Sequence, residues 1–468
     1  MVVGEIAQER QLIVIGGGPG GYHTAIRAAQ LGLDVLLVER NQLGGVCLNQ
    51  GCIPSKVHTY AAEQWKQAKQ NEHIGIPAPT GNFDWQALHT HQAKVVHQLR
   101  QGVHQLCKAQ KIEVVEGEAT FLSEDRIGVE NGHNFDVYQF QHAVIATGQR
   151  PSSKAAVNAH TLFQQESLPQ KFVVVGCDYI SLEAAFSYQH LGSDVTIVAG
   201  ETNIEPSIEK ELWRAAKKAG ISVLKDVEIL DVTQHAEGID VSYVKGGETK
   251  VIAGTHLYQS ASWLGNTEGL GLERLGIERS ESGHIHVSDS FQTARKNIWA
   301  IGDVLVGEPL ATKAIKQGKV LAERLAGQKA EWDDTFTPRV FRTLPPIASV
   351  GWTSKEAEQA GREINTSTVP FRSNGYAMIT GKGDGLCTLI KDEQSDEILG
   401  VHMIGEGAVE MIATGTLVLE MAGRDEDVMF PMYPHPSYLE VFMESAEEWD
   451  GKAIHQPPKK EKRTKQPT

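Results

Sequence analysis

The chain has 468 residues, of which 41% are hydrophobic and 22% charged, an ordinary balance for a protein with a sizeable core and, at this length, about three domains. A formal net charge of −15 argues against broad nucleic-acid or anionic-membrane binding, and no apolar run approaches the roughly 18 residues that cross a bilayer. The N-terminus lacks the order of a signal peptide, and five cysteines are too few for a disulfide scaffold, so a reducing cytoplasm is the expected compartment.

Residues 11–15 predict a buried strand, Gly16 to Gly21 a glycine loop, 22–31 a helix, and 34–38 a second strand ending at Glu39. Strand, loop, helix, strand and acid is the order of a dinucleotide-binding βαβ unit. Gly16 permits the tight turn, Gly18 lets backbone approach a pyrophosphate, and Gly21 lets helix and strand pack closely. The helix N-terminus supplies unpaired N–H groups for phosphate, and Glu39 stands where an acid accepts a ribose hydroxyl.

Next comes Cys47-Leu-Asn-Gln-Gly-Cys52-Ile-Pro-Ser-Lys56. No second CxxC or CxxH pair lies nearby, so no metal is expected. Two cysteines this close suit a redox disulfide, in which one sulfur must become a thiolate. An amphipathic helix over about 83–111 and strand-like pieces lead to Thr147 and Gly148. Near residue 150 the pattern restarts: strand 172–175, loop 176–181, helix 182–191, strand 195–198. Near 282 the chain returns towards its first part through Gly302 and Asp303. From about 335 to 450 a further region carries a strand at 377–380 and a helix at 408–422. There His435 sits in a Pro-bracketed turn with Glu440 following. Imidazole is the natural general base for a thiol, and an acid on its other nitrogen fixes the tautomer. A tail with Lys459, Lys460, Lys462, Arg463 and Lys465 ends the chain and reads as disordered.

The cysteine segment resembles the active-site signature of the flavin-dependent pyridine nucleotide–disulfide oxidoreductases, in particular their dihydrolipoamide-oxidising branch, and the likeness runs from Leu12 to about Trp449. It implies an α/β fold of two Rossmann-like dinucleotide-binding domains and a C-terminal α+β dimerisation domain. The expected division is 1–150 with 282–334 for FAD, 151–281 for an NAD(P)-like domain, 335–451 for the interface, and 452–468 for the tail. By the resemblance Cys47 exchanges with substrate, Cys52 lies against the flavin, and Lys56 pairs with Glu183 near it. His435 and Glu440 serve the cysteine pair of a second subunit, which implies a homodimer. The same likeness assigns FAD contacts to Gly16, Gly18, Gly21, Glu39, Arg40, Gly45, Val46, Lys56, Ala119, Thr147, Gly148, Gly302, Asp303 and Ala311. Its partners would be a small dithiol or a lipoyl-carrying protein, with no nucleic acid and no membrane insertion. Tyr433 departs from the family pattern, which has another His there.

The second βαβ unit departs further. Where the family needs three glycines it reads Gly176, Asp178 and Ser181; the acid ending its second strand is Ala199, with Glu201 two residues on; and an expected arginine is absent from Ser262-Trp-Leu-Gly-Asn266. A carboxylate at Asp178 about 4 Å from a phosphate costs about 4 kcal/mol at an effective dielectric near 20, roughly a thousandfold in affinity. The expectation is therefore an FAD enzyme oxidising dihydrolipoamide or a similar dithiol, with NAD(P) doubtful as acceptor. The alternatives are an ordinary NAD-dependent dihydrolipoamide dehydrogenase binding NAD in a shifted pose, and a non-catalytic flavoprotein subunit.

Overall fold

Val14 and Ile15 end strand β1 (Gln8–Ile15) with almost no exposure, because a parallel sheet covered on both faces demands continuous apolar runs. The computed structural model describes residues 7–457 apart from Lys154 and Ala156. Residues 458–468, and with them most of the expected basic tail, lie outside the described residues. The chain divides into two compact units, one of residues 1–60, 81–167 and 260–334, the other of 61–80, 168–259 and 335–468.

In the first unit β1 runs parallel to β2 (Val35–Glu39) and to Asn134–Ile145, and β2 runs parallel to Glu113–Glu116. Strand Ile298–Ala300 returns to the same sheet beside Ala143–Ile145. Between β1 and β2 lies helix α1 (Pro19–Gln30), whose proline at the first turn suits a position where no N–H is needed. Gly21 is obligatory: a Cβ there would stand 1.8 Å from the Gly16 carbonyl oxygen. Beyond β2 come two helices that meet at a break, α2 (Gly45–Asn49) and α3 (Cys52–Gln70), and then α4 (Trp85–Ala109), capped by Asp84.

In the second unit four parallel strands lie in the order Ser222–Leu224, Asp194–Val198, Lys171–Val175, His256–Gln259. Helix α5 (Tyr179–Leu191) connects the two central strands and is buried over most of its length. A five-stranded antiparallel sheet follows, with Ile398–Ile404 in its middle, and helices Ala408–Glu420 and Glu440–Glu447 share its core. The architecture is thus α/β, with two Rossmann-like βαβ units and a C-terminal α+β region. No helix among the described residues is long and apolar enough to cross a membrane.

Two local expectations are corrected. Residues 377–380 are not a strand: Gly375–Ile379 is a short helix, because the Asn374 side chain accepts from the Ala377 N–H at 2.9 Å and caps it. Helix α5 begins at Tyr179 rather than 182, because Asp178 caps it. Gly21→Ala is expected to destabilise the fold by at least about 1–3 kcal/mol through overpacking, read as a lower urea midpoint with unchanged slope.

Candidate active site

The break between α2 and α3 places the two cysteines. Gln50 and Gly51 donate to the same Val46 carbonyl, at 2.8 and 2.7 Å, which ends α2 so that Cys52 opens a new helix. Asn49 fixes the loop from within: its Nδ2 donates to the Leu43 carbonyl at 3.0 Å and the Gly45 carbonyl at 2.9 Å. The Cys52 thiol beside it, then burial, push the Cys47 thiol well above its ordinary range, while Lys56 pulls it back and Asp303 opposes Lys56. The structure therefore brings Cys47, Cys52, Lys56 and Asp303 into one electrostatic neighbourhood. Asn49 went unread in the sequence; its place in the break between two cysteines was the available signal.

Around this pair the first unit offers a long polar cradle. The α1 N-terminus has no side-chain cap on Gly18, so its first N–H groups stay open to an anion. Gly45, at φ +57°, approaches so closely that a Cβ would stand 2.6 Å from the Gly18 Cα. The Glu39 carboxylate accepts from the Gly17 N–H at 2.6 Å and the Asn41 N–H at 2.8 Å, with lone pairs left for a diol. Arg40 is exposed at the end of β2, and Ala119 is buried in Glu118–Ser123. The Thr147 Oγ1 is buried without a partner. Asn266, another residue missed in the sequence as a site contributor, ties this loop by donating to the Thr147 carbonyl at 3.0 Å. Gly302 donates to Gln317 Oε1 at 2.7 Å, turning the chain at Asp303. Ala311 opens a further helix whose N-cap, Leu310, carries no side-chain cap. Burial pushes the Asp303 carboxyl up to about 6, against the pull of Lys313. Open helix ends, an orphaned hydroxyl and a buried acid fit a dinucleotide such as FAD, held by these residues. Val46 and Gly148 lie on the same two loops, beside Gly45 and Thr147.

The second βαβ unit is built differently at the same place. The Asp178 carboxylate accepts from the Ser181 N–H at 2.7 Å, so the α5 N-terminus is capped by the chain itself. Ser181, where the first unit has Gly21, is fully buried and its Oγ finds no partner. Glu183, on α5, is 1% exposed and accepts from the Arg342 N–H at 3.0 Å. In the same unit His435 Nδ1 meets Glu440 Oε1 at 2.8 Å, and the other oxygen of Glu440 accepts from the Ser437 N–H at 2.8 Å. Burial pushes Glu440 up, but the hydrogen bonds from His435 and Ser437 outweigh it and hold the carboxyl below its ordinary range. The imidazole is 81% exposed, with Nε2 left for proton transfer. Tyr433 does not substitute for a second imidazole: its hydroxyl donates to the Val428 carbonyl at 2.7 Å.

Fold and cysteine loop together define a flavin disulfide oxidoreductase. Residues 10–318 match the pyridine nucleotide-disulphide oxidoreductase model, and residues 337–446 match that family's dimerisation domain. The chain is 37% identical over 466 residues to dihydrolipoyl dehydrogenase of Geobacillus stearothermophilus, covering 97% of this chain and 99% of that one. It is 35% identical over 472 residues to the dihydrolipoyl dehydrogenase of Haloferax volcanii, covering 97% and 99%. The chain belongs to the pyridine nucleotide-disulphide oxidoreductase family, and FAD is its cofactor. Among solved structures, LpdA of Mycobacterium tuberculosis superposes with a TM-score of 0.86 at 21% identity, covering 94% of this chain and 99% of that one. The Cu(II) complex of the HOCl-induced flavoprotein disulfide reductase RclA of Escherichia coli superposes at 0.84 and 22% identity, with the same coverage. At these identities the two structures speak for the fold.

Asp303 yields a signed pH prediction. Its folded pKa of about 6 lies above the ordinary 3.8, so the folded apoprotein binds this proton more tightly than the unfolded chain. The associated stability is present below the ordinary value and lost as pH rises through about 6. Asp303→Asn should therefore make the apoprotein more stable at neutral pH by up to about 3 kcal/mol, measured by urea unfolding, while weakening FAD retention.

Proposed function

We propose that this enzyme oxidises dihydrolipoamide or a similar vicinal dithiol, free or carried on a lipoyl protein, and passes the electrons to an acceptor other than NAD(P). The observation that carries the dithiol reading is the adjacency of Cys47 and Cys52 across the α2–α3 break, with Lys56 in their field. His435, oriented by Glu440, takes the proton of one substrate thiol at the cysteine pair of the second subunit. The resulting thiolate attacks Cys47 Sγ of the oxidised pair, forming a mixed disulfide and releasing Cys52 as thiolate. The second substrate thiol then displaces Cys47, its proton passing to the departing Cys47 sulfur, which gives the cyclic disulfide and leaves the enzyme pair reduced by two electrons. Lys56 supports the thiolate charge, and the pair is half-buried, open enough for a substrate thiol to reach it. FAD held in the first unit would supply the two-electron acceptor for that pair.

A homodimer suits the base. Met432 is fully exposed and Phe430 91% exposed just before His435 in the chain, with Leu417 and Met421 exposed on helix Ala408–Glu420 and at its end. Apolar residues of this size left in water mark a protein interface, and the residues matching the dimerisation domain include all four. We read residues 1–150 with 282–334 as the FAD-binding part, 151–281 as its nucleotide-binding-like counterpart and 335–451 as the interface. Two thiols poised for exchange fit a reducing cytoplasm.

The acceptor reading rests on Asp178. A phosphate arriving at α5 would have to displace the protein's own carboxylate and face its charge. The contrary reading, NAD+ bound in a shifted pose, draws on the 37% identity to a dihydrolipoyl dehydrogenase. An anaerobic absorbance titration separates them. Dihydrolipoamide should bleach the flavin, and NAD+ or NADP+ added afterwards should not restore it; full reoxidation by NAD+ would make this an ordinary dihydrolipoamide dehydrogenase. Asp178→Gly combined with Ser181→Gly is expected to bring in an NAD+ response by reopening the helix end. His435→Gln should slow reduction by dithiol about 10²- to 10⁴-fold, measured by stopped flow.

A further inference from the structure

Helix Glu440–Glu447 carries a second histidine–carboxylate pair. Four residues after Glu440, and therefore on the same helical face, Glu444 accepts at Oε1 from His455 Nδ1 at 2.5 Å. Glu444 is 6% exposed, and its Oε2 is buried with no partner. Among the described residues no protein group donates to Oε2, and His455 stands beside Oε1. The segment that brings His455 there is tied down on both sides: Ala453 is buried, and Gln456 Nε2 donates to Ser373 Oγ at 2.8 Å.

We propose that His455 is a positioning residue for the His435–Glu440 base: by neutralising Glu444 it sets the charge that the base experiences. The inference rests on reading His435 as the base. Glu444, then Glu440 and Glu447, hold His455 above its ordinary range, and His455 in turn helps to hold Glu440 below its own. Burial and Glu444 push Glu447 up. The other charges facing this region are engaged elsewhere. Lys391, on the adjacent strand, pairs with Asp396 at 2.8 Å and Asp425 at 2.6 Å, and Lys452 pairs with Asp450 at 2.7 Å. Among the described residues His455 is therefore the cation placed beside Glu444. Without it, a buried negative charge one turn from Glu440 would favour the imidazolium form of His435.

The test uses the full-length FAD-loaded enzyme and follows anaerobic flavin reduction by dihydrolipoamide against pH. His455→Gln should move the acid limb of the profile upward by roughly 0.5–1 unit, the size of one such charge at helical-turn distance in a partly wet site. His455→Lys, which keeps a cation, should leave the limb in place. Glu444→Gln combined with His455→Gln should return it to the wild-type position, because that exchange removes both charges. An unmoved limb in His455→Gln, or a double variant displaced as far as the single one, would overturn the proposal. His435→Gln is run in parallel: a wild-type rate there would remove the base reading itself, and the proposal with it. The two failures are thereby told apart.

Discussion

A helix that starts at the edge of a parallel sheet leaves several N–H groups without partners, and this chain meets that demand in two opposite ways. At α1 the groups stay open, flanked by glycines whose missing side chains keep the approach clear. At α5 the Asp178 carboxylate fills the position from within. That choice is one of the differences between the two βαβ units, since pyrophosphate and a capping carboxylate compete for the same donors. The folds are alike; the chemistry at their ends is not.

The reactive pair depends on a related economy of backbone. Cys47 and Cys52 come together because one helix stops and another starts two residues later, with Val46 accepting two donors and Asn49 bridging the loop. His435 is held by similar means, since one carboxylate, Glu440, binds both its ring and the Ser437 backbone. In each case a short polar side chain fixes a turn, and the turn aims the reacting atom.

Much of this was legible in the sequence wherever chemistry and spacing are local. The Gly16–Gly21 loop, the cysteine pair and the His435–Glu440 spacing each lie within a few residues, and the structure places them as such. What depends on capping was less visible. Asn374 turned an apparent strand into a helix, and Asp178 lengthened α5, because an N-cap acts on backbone donors that no apolar pattern reveals. The sequence reading took Asp178 as a charge in the loop, and the structure shows it as a hydrogen-bonded cap. The His455–Glu444 pair was illegible for another reason: its partners are eleven residues apart, and only the fold of the C-terminal segment brings them together.

A capped helix end also changes how the domain responds to its surroundings. An aspartate N-cap contributes about 0.5–2 kcal/mol, and it does so in every molecule, whatever else is dissolved around it. An open end draws the equivalent stabilisation from a bound anion, so its stability climbs with the logarithm of ligand concentration. With Asp178 in place, the start of α5 carries its capping contribution without any ligand. At the open end of α1 that share of stability is left for a bound anion to supply.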